Sequence, residues 1–224
     1  MAGISQDGHG GLMVTGDQNP TNAATTEFFR NGKWTLGPDM PSRRWGHCQV
    51  LLGDTVYVVG GYRYNPNGGF LDSTLLLIQD SYWLEVGSLA VARDSFTCAV
   101  HDGKIFVIGG DSYQGYLSSV EVLDPDTNTW SFGPEFPQTV THAQAFSWDG
   151  YLWLMGGYMG PVLTKSRKNS TSQSEYNKVI YRLEGNVWKN TGIIVDENGP
   201  LPAQIVKHDV INCHVTTKSI DVIE

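Results

Sequence analysis

The chain has 224 residues, 40% hydrophobic and only 17% charged, with 26 glycines and a formal net charge of −8. That length buries a sizeable core, while the acidic balance argues against a nucleic-acid backbone or an anionic membrane surface as partner. Glycine together with abundant Trp, Tyr and Phe favours β-structure over helix, and no apolar run reaches the roughly 18 residues of a membrane-spanning helix.

The opening segment MAGISQDGHGG has neither the basic nor the apolar region of a secretory leader. Cys48, Cys98 and Cys213 are too few and too scattered for a disulfide framework, and an odd count leaves at least one unpaired. Together these favour a cytoplasmic setting. Against it stands the Asn169-Ser170-Thr171 glycosylation sequon.

An apolar run ending in glycine then recurs four times, as LMVTGD (12–17), VYVVGGY (56–62), IFVIGGD (105–111) and LWLMGGY (152–158). A tryptophan opening a short run recurs as often, at Trp34, Trp83, Trp130 and Trp188. From Trp34 to Gly60, Trp83 to Gly109 and Trp130 to Gly156 the distance is always 26 residues. The glycine-to-tryptophan leg varies from 18 to 32. One leg is framework and the other holds an adjustable loop.

Each unit reads as four short strands. In the third, Thr97–Val100 is followed by the turn His101-Asp102-Gly103 and by Lys104–Ile108. A polar loop leads to SSVEVLD, whose alternation suits a half-buried strand. The turn Asp124-Pro125-Asp126 and the strand Thr129–Phe132 complete the unit. Arg30-Asn31-Gly32, Gln79-Asp80-Ser81 and Glu184-Gly185-Asn186 take the corresponding last turn elsewhere. No segment sustains a helical apolar period, so the chain is expected to be all-β.

Units of this size cannot bury both faces alone, and radial stacking into a β-propeller solves that problem. The tryptophans are expected to wedge between blades, and the diglycines to allow close approach of neighbouring backbone. The expected architecture is one domain of four four-stranded blades, at about 1–41, 42–89, 90–137 and 138–201. A partial fifth blade would occupy 202–224, because its register reaches Asp221 where a glycine is due. The ends do not complement each other in this register, so an incomplete or open ring prone to self-association through its edges is expected. Segment 165–178, with four serines and alternating charge, is expected to be an exposed excursion within the fourth blade.

The diglycines with their tryptophans, the run PSRRWGHCQVLLGDTVYVVGGY from Pro41, and the stretch VEVLDPDTNTW resemble the Kelch family. Leu123 stands where that family usually has Tyr, Gly16-Asp17 replaces the first diglycine, and the fourth unit carries an insertion. The resemblance covers residues 1 to about 202. It implies a propeller used for recognition, as in the substrate-binding half of Kelch-type ubiquitin-ligase adaptors, although the BTB domain and linking helical domain of those adaptors are not read within these 224 residues. It also admits an alternative, a fragment of a galactose-oxidase-like or sugar-isomerising enzyme.

Catalytic groups do not assemble in the sequence. Of His9, His47, His101, His142, His208 and His214, which lie mostly about forty residues apart, His47, His101 and His142 occupy repeat positions that do not superpose cleanly, so no metal site and no cofactor are expected. There is no Gly-x-Ser-x-Gly elbow. Cys48 and Cys98 lie in apolar strands at similar repeat positions, as buried small hydrophobes do. The loops after the diglycines, YRYNPNGGF (62–70), DSYQGY (111–116) and YMGPVL (158–163), combine aromatic and hydrogen-bonding residues suited to an interface. By resemblance, these loops and the arginine-bearing lead-ins line the ligand face. The expected contacts are Arg44, Trp45, Arg63, Tyr64, Ser95 and Tyr113, although lead-in residues such as Arg43 and Arg93 alternatively pair with carboxylates or carbonyls between blades. Two arginines on one face of an acidic protein suggest a protein or acidic-peptide partner.

Overall fold

The computed structural model describes residues 2–19, 21, 23–63, 68–160 and 175–194. The described residues contain strands and no helix, and their main sheets are four antiparallel, four-stranded units. The first holds Gly3–Gln6, Leu12–Thr15, Thr26–Arg30 and Lys33–Leu36. The second holds Cys48–Leu52, Thr55–Val59, Ser73–Ile78 and Tyr82–Ser88. The third holds Thr97–His101, Lys104–Ile108, Val120–Asp124 and Thr129–Phe132. The fourth holds Gln144–Trp148, Tyr151–Met155, Val179–Glu184 and Val187–Ile194. Strand order follows chain order in each sheet, as short hairpin connections require.

The first strands of the four sheets converge at one place. A cavity of about 60 Å³ there is lined by Gly3, Cys48, Thr97 and Gln144, one from each first strand, and by their neighbours. At the periphery the outer strand Lys33–Leu36 is exposed throughout. Between these limits the core lies in the inter-blade layers. One layer gathers Val50, Val59, Phe96, Ile105, Val107 and Leu123 from the second and third blades. The next joins Ile108, Val120, Phe136, Leu152, Leu154 and Trp188.

Local chemistry explains the regularity of the hairpins. Asn31-Gly32, Asp102-Gly103 and Asp149-Gly150 all place two successive residues at positive φ. That is the requirement of a two-residue turn matched to strand twist. The second and third diglycines are needed for space as well as for conformation. Gly109 and Gly110 have φ of 66° and 102°. A Cβ on Gly109 would stand 2.1 Å from Val140 O, and one on Gly110 would stand 2.7 Å from Asp94 O. The pair is therefore pressed between the lead-in of its own blade and the lead-in of the next. Gly110 N–H donates to Val140 O at 2.8 Å, and Gly61 N–H repeats this toward Arg93 O.

Three of the four repeat tryptophans reach back to the preceding blade. Trp83 Nε1 donates to Pro38 O at 3.0 Å, Trp130 Nε1 to Thr74 Oγ1 at 2.9 Å, and Trp188 Nε1 to Pro134 O at 2.9 Å. Trp34 departs from the expected wedge. It is 54% exposed and packs on Phe29 of its own blade, since no blade precedes it among the described residues. The expected partial fifth blade (202–224) lies outside the described residues, as does most of the expected excursion at 165–178.

Candidate binding face

The end of the propeller where each second strand finishes carries small hairpins that the sequence reading treats as loops. Tyr62–Arg63 pairs with Gly69–Phe70, and Asp111–Ser112 pairs with Gly115–Tyr116. In the fourth blade Thr139–Thr141 pairs with Tyr158–Gly160, which pairs with Glu175–Tyr176. The lead-ins are bridged to these hairpins through Trp45 with Tyr62 and Asp94 with Asp111. Gly46 O accepts from Ser95 N–H at 2.9 Å, and Ser95 O accepts from His142 N–H at 2.8 Å. Those two bonds tie three successive lead-ins into a continuous rim.

Of the expected contacts, Trp45, Arg63 and Tyr113 lie on this end. Tyr113 is 68% exposed, and its ring stands edge-on to Phe70 at 4.9 Å. Phe70 in turn meets Tyr62 at 5.3 Å, and Tyr62 meets Trp45 at 5.8 Å. The result is an aromatic row crossing from the second blade to the third. Arg63 is exposed beside it. Tyr64 lies outside the described residues.

Two expected contacts are corrected by their burial. Arg44 is completely buried, donating to Gly60 O at 3.0 Å, Ser73 Oγ at 3.1 Å and Ser42 Oγ at 2.7 Å. Burial lowers its pKa to about 10. The equivalent Arg93 binds Gly109 O at 2.9 Å and the Glu121 carboxylate at 2.5 Å. These guanidiniums satisfy the carbonyls that the diglycine turn leaves open, so they are framework groups. In the fourth blade Val140 takes the arginine position, and Asn177 Nδ2 donates to Gly156 O at 3.1 Å instead. Ser95 is likewise buried at φ 52°, with its backbone committed to the rim.

The expected contacts did not include the carboxylates and the histidine of the rim. Asp94 is buried, and its pKa rises to about 6 through burial and the nearby Asp111 carboxylate. His142 is pushed down by burial, and Asp111 opposes that shift. Its ring faces Tyr158 at 6.2 Å, and Tyr158 faces Tyr176 at 6.0 Å. The available signal was the repeat itself, since residues equivalent to Trp45 in other units are Asp94 and Thr141. Among the described residues no three His, Cys, Asp or Glu side chains converge as metal ligands would.

The blades, the diglycine sandwich and the back-reaching tryptophans define a Kelch-type β-propeller. The Kelch motif family model matches residues 92–137, the third blade with its lead-in. Kelch-like protein 36 of Rattus norvegicus is 33% identical over 147 residues, which are 62% of this chain and 23% of that protein. Kelch-like protein 41a of Danio rerio is 32% identical over 126 residues, covering 56% and 21%. Kelch-like protein 40 of Xenopus laevis is 29% identical over 157 residues, covering 70% and 24%. The chain thus spans about a quarter of the length of these relatives. The solved structure of YjhT superposes with a TM-score of 0.69 at 15% identity, covering 89% of this chain and 66% of YjhT, a likeness of fold.

Proposed function

We propose that this chain is a non-catalytic recognition module that holds a protein partner on the hairpin end of the propeller. The observation that carries the reading is the row Trp45–Tyr62–Phe70–Tyr113, rigid by ring-to-ring packing yet open at Tyr113. Such rings supply contact area at low entropic cost. The similarity to Kelch-like proteins supports a protein as the partner class. For charge, Arg63 favours an acidic group on the partner, whereas buried Arg44 gives no support and Asp94 with Asp111 opposes it. Aromatic contact therefore comes first and charge second.

The test is affinity capture with quantitative mass spectrometry, comparing the wild-type chain with Phe70→Ala/Tyr113→Ala. Proteins held by the row drop out of the variant's bound set while its thermal unfolding stays near wild type. An unchanged bound set refutes the assignment of this face. Metal analysis of the purified chain addresses the enzymatic alternative, for which stoichiometric, tightly held copper or iron is the expected sign.

A further inference from the structure

Cys48 and Cys98 meet because of the repeat register. Gly3, Cys48, Thr97 and Gln144 each pair with the residue just before a turn glycine, namely Thr15, Val59, Ile108 and Met155. The next residues, Ile4, Gln49, Cys98 and Ala145, point to the other side of each innermost strand. The first set in one blade therefore faces the second set in the next. A Cβ on Gly3 would lie 2.9 Å from Gln49 Cβ, and Thr97 Oγ1 accepts from Ala145 N–H at 2.8 Å. At the remaining junction the pair is Cys48 and Cys98. Their Sγ atoms are in disulfide contact and their Cα atoms 6.2 Å apart, within the span such a bond requires.

Both cysteines also line the cavity of about 60 Å³, with Cys48 8% and Cys98 2% exposed. The cavity admits molecules of water size. With both cysteines buried, a small peroxide has readier access to their sulfurs than a peptide thiol or a bulky disulfide. We propose that Cys48 and Cys98 form a redox modification site, a dithiol that hydrogen peroxide entering the cavity converts to an inter-blade disulfide. The Cys48 thiol gives up its proton, the thiolate attacks one peroxide oxygen, forming an S–O bond as the O–O bond breaks, and the leaving hydroxide takes up that proton as water. Cys98 then attacks the sulfenic sulfur, so the S–S bond forms, the S–O bond breaks and a second water departs with the Cys98 proton. Two thiols are oxidised and one peroxide is reduced to two waters.

The bond lies immediately beneath the rim. Cys48 follows Gly46 by two positions and Cys98 follows Ser95 by three, and Ser95 N–H donates to Gly46 O at 2.9 Å. Oxidation thus clamps the second and third lead-ins together, and the rim amide reports it.

The test starts from full chain purified under dithiothreitol, desalted and treated with hydrogen peroxide or, in parallel, with oxidised glutathione. Alkylation and peptide mass spectrometry then locate the thiols lost. The expected result is a Cys48–Cys98 cross-linked peptide forming at least tenfold faster with peroxide, with Cys213 outside the linkage. The melting temperature then rises by roughly 10 °C, and Ser95 amide exchange slows. Cys48→Ala abolishes the cross-link and the shift, while Cys213→Ala retains both. Absence of the cross-link, its formation at equal rate with glutathione disulfide, or a bond that resists reduction in the native chain each overturns the proposal. The last outcome marks a permanent staple instead.

Discussion

The Arg93 guanidinium and the Glu121 carboxylate form an ion pair at 2.5 Å with side chains 0% and 1% exposed. Glu121 also accepts from Ala90 N–H at 2.6 Å and Val91 N–H at 3.2 Å, so it anchors the lead-in twice. Removing one partner leaves a buried charge without compensation. Glu121→Ala is expected to destabilise the chain by about 3–5 kcal/mol, measured by urea unfolding. The double variant Arg93→Met/Glu121→Leu is expected to lose less than Glu121→Ala alone. If the double variant is the worse of the two, the pair adds more than its burial costs.

His47 sets one pH dependence. Burial, reinforced by the Arg44 charge, lowers its pKa to about 3, while its Nε2 meets Thr15 Oγ1 at 2.9 Å. The folded pKa lies below the unfolded value near 6.5, so the fold prefers the neutral ring. Its contribution is fully present above pH 6.5 and is lost as pH falls toward 3, at up to about 1.4 kcal/mol per unit. His47→Gln should flatten that part of the stability profile, read by denaturant midpoints at successive pH values.

Asp94 acts in the opposite sense. Its folded pKa of about 6 lies above the ordinary carboxylate value, through burial first and Asp111 second. The protonated acid is favoured in the fold, so the stabilisation is present below pH 4 and disappears as pH rises through 6. Asp94→Asn is therefore expected to gain roughly 2 kcal/mol over wild type at pH 7.5, with the gap closing as pH falls below 4. A gap independent of pH would show that the carboxylate charge is not its source.

The tryptophans separate by context. Trp188 is buried against Phe136 and bonded to Pro134 O, so Trp188→Ala is expected to cost about 3–5 kcal/mol. Trp130→Phe removes only the bond to Thr74 Oγ1 and should cost about 1 kcal/mol. Trp34→Ala, on an exposed outer strand, should cost less than about 1 kcal/mol. Thermal melts of the three variants order them directly.

Much of the architecture was legible in the residues alone, because its causes are local. Asp102-Gly103 and Asn31-Gly32 dictate hairpins by the positive φ that they tolerate. The constant 26-residue leg from tryptophan to glycine marks the framework of each blade. The alternation in SSVEVLD announced a strand, and Val120–Asp124 is one, although packing between blades buries both its faces from Val120 to Leu123.

Other features depended on how blades stack, which no single unit encodes. Arg43 and Arg44 are neighbours of identical chemistry, yet only Arg44 is aimed at Gly60 O, and that decided which guanidinium is buried. The shared 16-residue spacing of Arg44 to Gly60 and Arg93 to Gly109 was a readable sign of this role. The hairpins beyond the diglycines have strands of two residues, too short for a period to show. The Asp94 pKa and the aromatic row join side chains from different hairpins. Cys48 and Cys98 sit on opposite sides of their own strands, 50 residues apart, and meet only because the second blade faces the third. Turn and strand chemistry is written residue by residue. Contacts between blades follow from the rotation that packs one sheet on the next, a property of the assembled propeller.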